Sequence, residues 1–240
     1  MIKFNNLIFI DTETTGLNEE DRIFQVAYEF QEKEYNKLFK PPLPISCGSM
    51  EATHYTNKDV EDKIPFQESE MKKHLEEILK ENIFVAHNAK FDIKMIEKEG
   101  LKVGKFIDTL KVAQFLDPHG KLEAYRLQFL RYCLDLDVKD AQAHDALGDI
   151  RVLKALFIRL FEKMKKDLGD DEKVIEKMIE ISSQPTIYKK INFGKYAGEF
   201  LVEIVKKDRG YLEWLLREKQ KQAAEGEVDE DWIETLKRLL

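Results

Sequence analysis

The run LIFIDTETTG, Leu7 to Gly16, restricts this chain more than any other stretch. Its first half is a short apolar segment that reads as a buried core strand. Two acids, Asp11 and Glu13, then stand at the mouth of that strand, before a glycine turn. Carboxylates in such a place are costly to desolvate unless something positive lies between them. Either they cap a turn or they hold metal. Residues i and i+2 of a strand project to the same face, so both carboxylates can reach one point beyond its end.

The remaining pattern supplies a sheet around that strand. Strands are expected over 7–11, 22–30 and 35–39, joined by short turn-rich links as an antiparallel meander. A proline-broken loop follows at 40–49. A helix is expected at 67–80 from the stripe Phe66, Met71, Leu75, Ile78 and Leu79, then a core strand at 83–87 and a helix at 89–99 stopped by Gly100. A strand at 105–108 and helices at 109–116, 121–134 and 145–168 complete a mixed α/β sheet. The composition shifts near Gly169, giving three expected parts: a domain over 1–168, a linker with a short charged helix over 169–184, and a small module over 185–240. The acidic stretch EGEVDEDW reads as a solvated helix boundary.

At 240 residues the chain can bury a full core, and 43% hydrophobic with 35% charged residues describes a soluble globular protein. No apolar run approaches the roughly 20 residues of a membrane span, and no export signal precedes the first strand. A cytoplasmic protein without membrane contact is expected. Cys47 and Cys133 form neither a metal spacing nor a disulfide framework. The net charge of −7 argues against coating nucleic acid by bulk electrostatics. A local grip on a strand end remains open, because divalent ions reverse the sign of a carboxylate pocket.

Two further acids stand at helix starts. In IFVAHNAKFD, residues 83–92, a strand runs into Asn88, a good helix N-cap, and Asp92 lies one turn inside the helix where the dipole favours negative charge. In AHDALGDI, residues 143–150, Asp145 as a cap gives Asp149 the equivalent position. His144 lies five residues before Asp149, about 140° around a helix, so it fits the loop before the cap and can lean over whatever Asp149 holds. Dipole complementation and a surface histidine explain each piece singly. Together, four acids suit hard cations such as Mg²⁺ or Mn²⁺, and a neutral imidazole beside them suits a general base. Two-metal phosphodiester hydrolysis, with ions roughly 4 Å apart, requires that combination.

DTETTG, HNAKFD and the H-x4-D of HDALGD resemble, in order and separation, the three motifs of the DEDDh 3′–5′ exonuclease family, over roughly residues 5–165. The resemblance implies an RNase H-like mixed five-stranded sheet flanked by helices, with a small, mostly helical C-terminal module. It implies that Asp11, Glu13, Asp92 and Asp149 bind two Mg²⁺ (or Mn²⁺) ions and that His144 takes the proton of the attacking water. Release of 5′-nucleoside monophosphates from a 3′ end would follow. It also suggests substrate contacts from Thr14, Thr15, Leu17, His54 and Asn88. Leu17 would pack on the terminal base, or anchor the turn; His54 lies in ATHYTNKDV, one residue shorter than the family segment it resembles. Asp108 in FIDTL reads as a helix cap.

FGKYAG and DRGYLEWL, within 191–216, resemble the module that follows the nuclease in bacterial exodeoxyribonuclease X-like proteins. Phe193, Tyr196, Phe200, Tyr211 and Trp214 are expected to form a miniature core around Gly194 and Gly198. The alternative is a nucleic-acid contact, because Lys189, Lys190, Lys195, Lys206, Lys207 and Arg209 interleave with these aromatics. The leading expectation is an exonuclease on DNA with a free 3′ end, single-stranded or frayed. RNA, as for RNase T and oligoribonuclease, and a polymerase proofreading subunit stay open, since the acids touch phosphate and not the 2′-OH.

Overall fold

The computed structural model describes residues 4–139, 146–226 and 228–240. Its sheet consists of β1 (Leu7–Thr14), β2 (Ile23–Phe30), β3 (Lys33–Leu38), β4 (Ile83–Ala86) and β5 (Phe106–Asp108), in the order β3-β2-β1-β4-β5. The expected meander is present: β2 runs antiparallel to β1 and to β3, whereas β4 and β5 pair in parallel beyond β1. The helices are α1 (Cys47–Thr53), α2 (Asn57–Val60), α3 (Glu70–Ile78), α4 (Ala89–Lys98), α5 (Thr109–Phe115), α6 (Leu127–Cys133), α7 (Ala146–Leu168), α8 (Asp171–Ser183), α9 (Leu201–Ala224) and α10 (Glu230–Leu239). Among the described residues no helix is long and apolar enough to cross a membrane.

β1 is central and covered on both faces. Leu7 and Phe9 pack with the buried residues of α5, α7 and α8, while Ile8 and Ile10 pack with those of α3 and α4. This alternation carries the strand's odd-numbered residues toward α7 and its even-numbered ones toward α4.

Several boundaries differ from expectation for identifiable reasons. The helix expected over 121–134 is only α6, because Asp117 accepts from the amides of Lys121 and Leu122 and the phenol of Tyr125, fixing a turn there. The loop expected over 40–49 ends early, where Ser46 caps α1. The 169–184 segment is not a linker in the packing. Val174 and Met178, one turn apart on α8, are fully buried in the core shared with β5, α5 and α7.

The C-terminal part corrects the aromatic-core reading in part: Tyr196 and Tyr211 do pack against its buried cluster, but the motif's aromatic rings do not make up that cluster. Its interior is mostly aliphatic, built from Ile191, Leu201, Ile204, Leu212 and Leu215 with Trp232 and Leu236 of α10. Phe193, Phe200 and Trp214 lie outward, 37%, 38% and 47% exposed, because the i, i+3 pairs of α9 already fill the space against α10. The motif residues instead form a clamp. Asp208 leaves helical geometry (φ −154°) and interrupts α9. Its carboxylate accepts from the Tyr211 amide, the Tyr196 phenol and Lys195. The Lys195 ammonium holds it near a pKa of about 2. Gly194 has φ +66°, and a Cβ there would lie 2.7 Å from the Tyr211 phenol oxygen.

The acidic boundary is engaged rather than solvated. Asp229 caps α10 through the Trp232 amide and pairs with Lys219 at 2.8 Å. Asp231 accepts from the Thr186 amide at 2.9 Å and faces Lys111 of α5 at 3.3 Å. Lys111 also donates to the Gln184 carbonyl at 2.7 Å, and its side chain is 5% exposed. This buried latch fastens α10 to the sheet-bearing part.

His87, just after β4, is a second strut. Its Nε2 lies 2.7 Å from the Tyr125 carbonyl and its Nδ1 2.9 Å from the Thr109 hydroxyl. A carbonyl can only accept, so Nε2 carries the proton and Nδ1 accepts from Thr109. Burial lowers its pKa to about 4.

Two outcomes follow. Asp231→Ala leaves Lys111 buried without its carboxylate and should cost about 3 kcal/mol. Trp214 and Trp232, the chain's 2 tryptophans, should report this as an earlier urea transition by fluorescence; an unchanged midpoint contradicts the latch. For His87, the unfolded chain takes up its proton near pH 6.5 and the folded chain only near 4. Its contribution is complete above 6.5 and is lost as pH falls toward 4, by about 3 kcal/mol in all. His87→Gln should flatten that part of a urea-midpoint against pH curve.

Candidate active site

The sheet and two helix starts deliver four acids to one place. Asp11 and Glu13 lie on the α7 side of β1, at the end where the ladder to β2 is bulged between Glu13 and Thr14. Asp149, in the first turn of α7 and 8% exposed, faces them. One carboxylate oxygen from each of Asp11, Glu13 and Asp149 lies within 4.8 Å of the others.

Asp92 arrives from the opposite side of the sheet, in the first turn of α4. Thr12 grips it: the Thr12 amide and hydroxyl both donate to Oδ1, at 3.1 and 2.7 Å. Burial pushes the Asp92 carboxyl up to about 7, against the lowering effect of the Thr12 bonds and with a smaller upward push from Asp108. All four acids line one cleft of about 320 Å³, closed by His87, Asn88, Phe91, Arg126 and Gln128.

Gln128 at the start of α6 donates to Asp149 Oδ1 at 2.5 Å, and Arg131 donates to the Gln128 side-chain oxygen Oε1 at 3.4 Å. Asn88 does not cap α4 by its side chain. It sits in the left-handed region at φ +66°, which asparagine tolerates, and turns the chain from β4 into the helix. Its amide donates to Asp108 Oδ1, which also accepts from the Leu110 amide. Asp108 is therefore the expected cap of α5, and it ties that cap to the Asn88 turn.

The first-motif loop winds around a buried acid. Thr15 donates to Asp21 Oδ1 at 2.6 Å, and the Asn18 amide donates to Oδ2 at 2.7 Å. A Cβ at Gly16 would meet the Asp21 carboxylate at 2.5 Å. Thr14 donates to the Gly16 carbonyl. The hydroxyls of Thr14 and Thr15, expected at the substrate, are thus spent on the turn, and both side chains are buried. Leu17 projects from this turn, 84% exposed, so it is not a core anchor. It lines a broad hollow of about 1010 Å³ between the loop, α4 and the C-terminal helices. His54 ends α1 at φ +62°, exposed and apart from the residues lining the acid cleft. His144 and Asp145 lie outside the described residues.

Reading from sequence missed Thr12, Gln128 and His87 as site residues. Thr12 and His87 sit inside the quoted motifs, but their partners are distant in the chain; nothing in the sequence marks Gln128.

A donor set of clustered carboxylates, with no soft ligand among them, fits a hard divalent cation. Like charges this close repel strongly in a partly buried cleft. Helix dipoles at α4 and α7 offset only a fraction of a kcal/mol to about 1 each.

The family described as "Exonuclease" matches residues 8–157, and the "Exodeoxyribonuclease X-like C-terminal" family matches residues 191–220. Exodeoxyribonuclease 10 of Escherichia coli strain K12 is 29% identical over 87% of this chain and 90% of its own length. A PolC-type DNA polymerase III of Thermotoga petrophila is 34% identical over 68% of this chain, which spans only 12% of that polymerase. DNA polymerase III subunit epsilon of Treponema pallidum is 33% identical over 66% of this chain and 78% of the relative. The solved structure of exonuclease X in complex with 5′ overhanging duplex DNA superposes with a TM-score of 0.57 at 27% identity, covering 74% of this chain and 99% of that one. With its five-stranded RNase H-like sheet and its match over residues 8–157, the chain belongs to the exonuclease family.

Proposed function

We propose that this chain is a 3′–5′ exodeoxyribonuclease that releases 5′-nucleoside monophosphates from DNA ends. The observation that carries the reading is the meeting of Asp11, Glu13, Asp92 and Asp149, from three separate elements, in one cleft. The relatives, exodeoxyribonuclease 10 and two DNA polymerase III chains, favour DNA over RNA.

In this reading the four acids hold two Mg²⁺ or Mn²⁺ ions. Such ions supply Lewis-acid polarisation of the phosphate and neutralise the carboxylates. The protein's own groups do the positioning. Thr12 donates twice to Oδ1 of Asp92 and so holds that carboxylate in place. Gln128 does the same for Asp149 through Oδ1. Leu17 stacks against the terminal base, and Asn88 contacts the substrate from the β4–α4 turn. The first-motif threonines act by keeping the Leu17 loop wound on Asp21. His144 serves as general base and takes the proton of the attacking water; its place five residues before Asp149 in the chain, as in the family motif it resembles, supports this role. In-line attack then breaks the bond between phosphorus and the 3′ oxygen of the penultimate nucleotide.

The test is turnover of 3′-labelled single-stranded DNA, duplex DNA and RNA side by side, with Mg²⁺ and with chelator. DNA should be shortened from the 3′ end, and chelator should stop it. Asp11→Ala and Asp149→Asn should each abolish product. His144→Ala should slow the reaction about 10²-fold or more while Mn²⁺ binding, followed by calorimetry, stays near that of the unaltered chain. Equal rates for His144→Ala and the unaltered chain would remove the assigned base, and faster hydrolysis of RNA than of DNA would reverse the substrate.

A further inference from the structure

Two depressions leave the acid cleft's neighbourhood, and their charges differ. The broad hollow beside Leu17 is lined by Glu19, Glu20 and the three acids Asp229, Glu230 and Asp231, against Lys90, Lys94 and Lys219. Each of those lysines faces a carboxylate: Lys90 with Glu230, Lys94 with Glu19 and Lys219 with Asp229. A polyanion gains nothing there.

The other depression is of opposite character. Arg126, which lines the acid cleft, also lines a hollow of about 400 Å³ between the Asp117–Arg126 turn and segment 186–192. Tyr188 and Lys189 line both that hollow and the next, of about 300 Å³, which carries Phe200, His119 and Arg238 and no acid. The three cavities therefore form a run with shared walls. Along the two hollows the cations are Arg126, Lys189, Lys190 and Arg238, the last paired with Glu234 of its own helix, against Asp117 and Glu123. Asp117 is turned inward to the amides it caps.

Two other lysines of the C-terminal motif are spent internally: Lys195 on Asp208 and Lys207 on Glu199. Among the described residues no carboxylate pairs with Lys189 or Lys190. Lys190 Nζ lies over the Phe200 ring, 4.6 Å from its centroid, and that ring is 38% exposed. Cations set beside accessible aromatic faces are what a single-stranded nucleic acid uses, phosphate to ammonium and base to ring.

We propose that the DNA strand leading to the reacting end leaves the acid cleft over Arg126 and runs along this groove to Lys189, Lys190 and Phe200. The C-terminal part thus extends the substrate site instead of merely following it. This rests on the nuclease reading above, and the experiment separates the two.

Binding of oligothymidylates of about 3 and about 20 nucleotides is measured by fluorescence anisotropy, in chelator, at several salt concentrations. The full chain is compared with the double variant Lys189→Glu, Lys190→Glu. The preference for the long strand over the short one should shrink about tenfold or more, and the salt slope for the long strand should fall by about 1.4, near 0.7 for each lost phosphate contact. Should charge reversal unfold the chain, Lys189→Gln and Lys190→Gln read the same ratio, with half the change in slope apiece. An unchanged length preference and slope overturn the groove. Hydrolysis of the p-nitrophenyl ester of thymidine 5′-monophosphate by the unaltered chain reports on the acid cleft alone. If that ester is cleaved while the length preference is unchanged, only the groove falls; if neither the ester nor any strand is cleaved, both readings fall.

Discussion

Negative charge held together at the end of β1 is the constraint to which the surrounding structure answers. Two carboxylates with oxygens within 4.8 Å of each other repel by about 3 kcal/mol or more at an effective dielectric constant near 20. The dipoles at the starts of α4 and α7 return well under that for each acid. A flexible site would relax by swinging the acids apart. Here relaxation is blocked, because β1 is laddered on both edges and buried on both faces, and because Thr12 and Gln128 hold Asp92 and Asp149 by one oxygen each. Asp92 adds a cost of its own, since burial pushes its carboxyl up to about 7. A divalent cation relieves it where local hydrogen bonds cannot.

The same buried chemistry joins the site to the C-terminal helices. Asp108 accepts from the Asn88 amide, which shapes the turn beside Asp92. Its charge is in turn offset by Lys111, which lowers the Asp108 pKa against the upward push of burial. Lys111 is the residue that fastens α10 through Asp231. The backbone at the cleft and the docking of the last helix thus share one chain of buried polar groups. In a low-dielectric interior such a network is worth most when every member is satisfied. This explains why residues near the acidic tail are engaged although their composition suggested solvent.

Apolar runs and turn residues were enough to read the five strands, their meander, and the helices that carry Asp92 and Asp149, because burial on a central strand leaves a local mark. The i, i+2 pair at Asp11 and Glu13 was legible for the same reason. What escaped depended on partners distant in sequence. Thr12 differs from its neighbours only by parity on the strand, and its target is 80 residues away. Residues 121–126 looked helical, but Asp117 takes the amides of Lys121 and Leu122 into a turn. Segment 169–184 looked like a linker because its charged face hides how well Val174 and Met178 fill the core. The aromatics of the C-terminal motif looked like core because size suggests burial, yet the aliphatic pairs of α9 reached α10 first. His144 lies beyond the described residues, so its role stands on the motif.

A chain with net charge −7 handles a polyanion only if its acids and its free cations are segregated. The pairing pattern does this. On the Leu17 side the lysines are matched by carboxylates of α10 and the first-motif loop, so that surface presents little field to a phosphate. On the Arg126 side Asp117 is turned into a cap, and among the described residues no carboxylate pairs with Lys189 or with Lys190, which lies over the Phe200 ring. Bulk charge therefore sets non-specific affinity low, while one groove retains the local potential that matters within a Debye length of about 8 Å at physiological salt. An enzyme that must act at strand ends gains from that arrangement: weak attraction along duplex DNA spares it from binding everywhere, and the groove engages only a strand already led into the cleft.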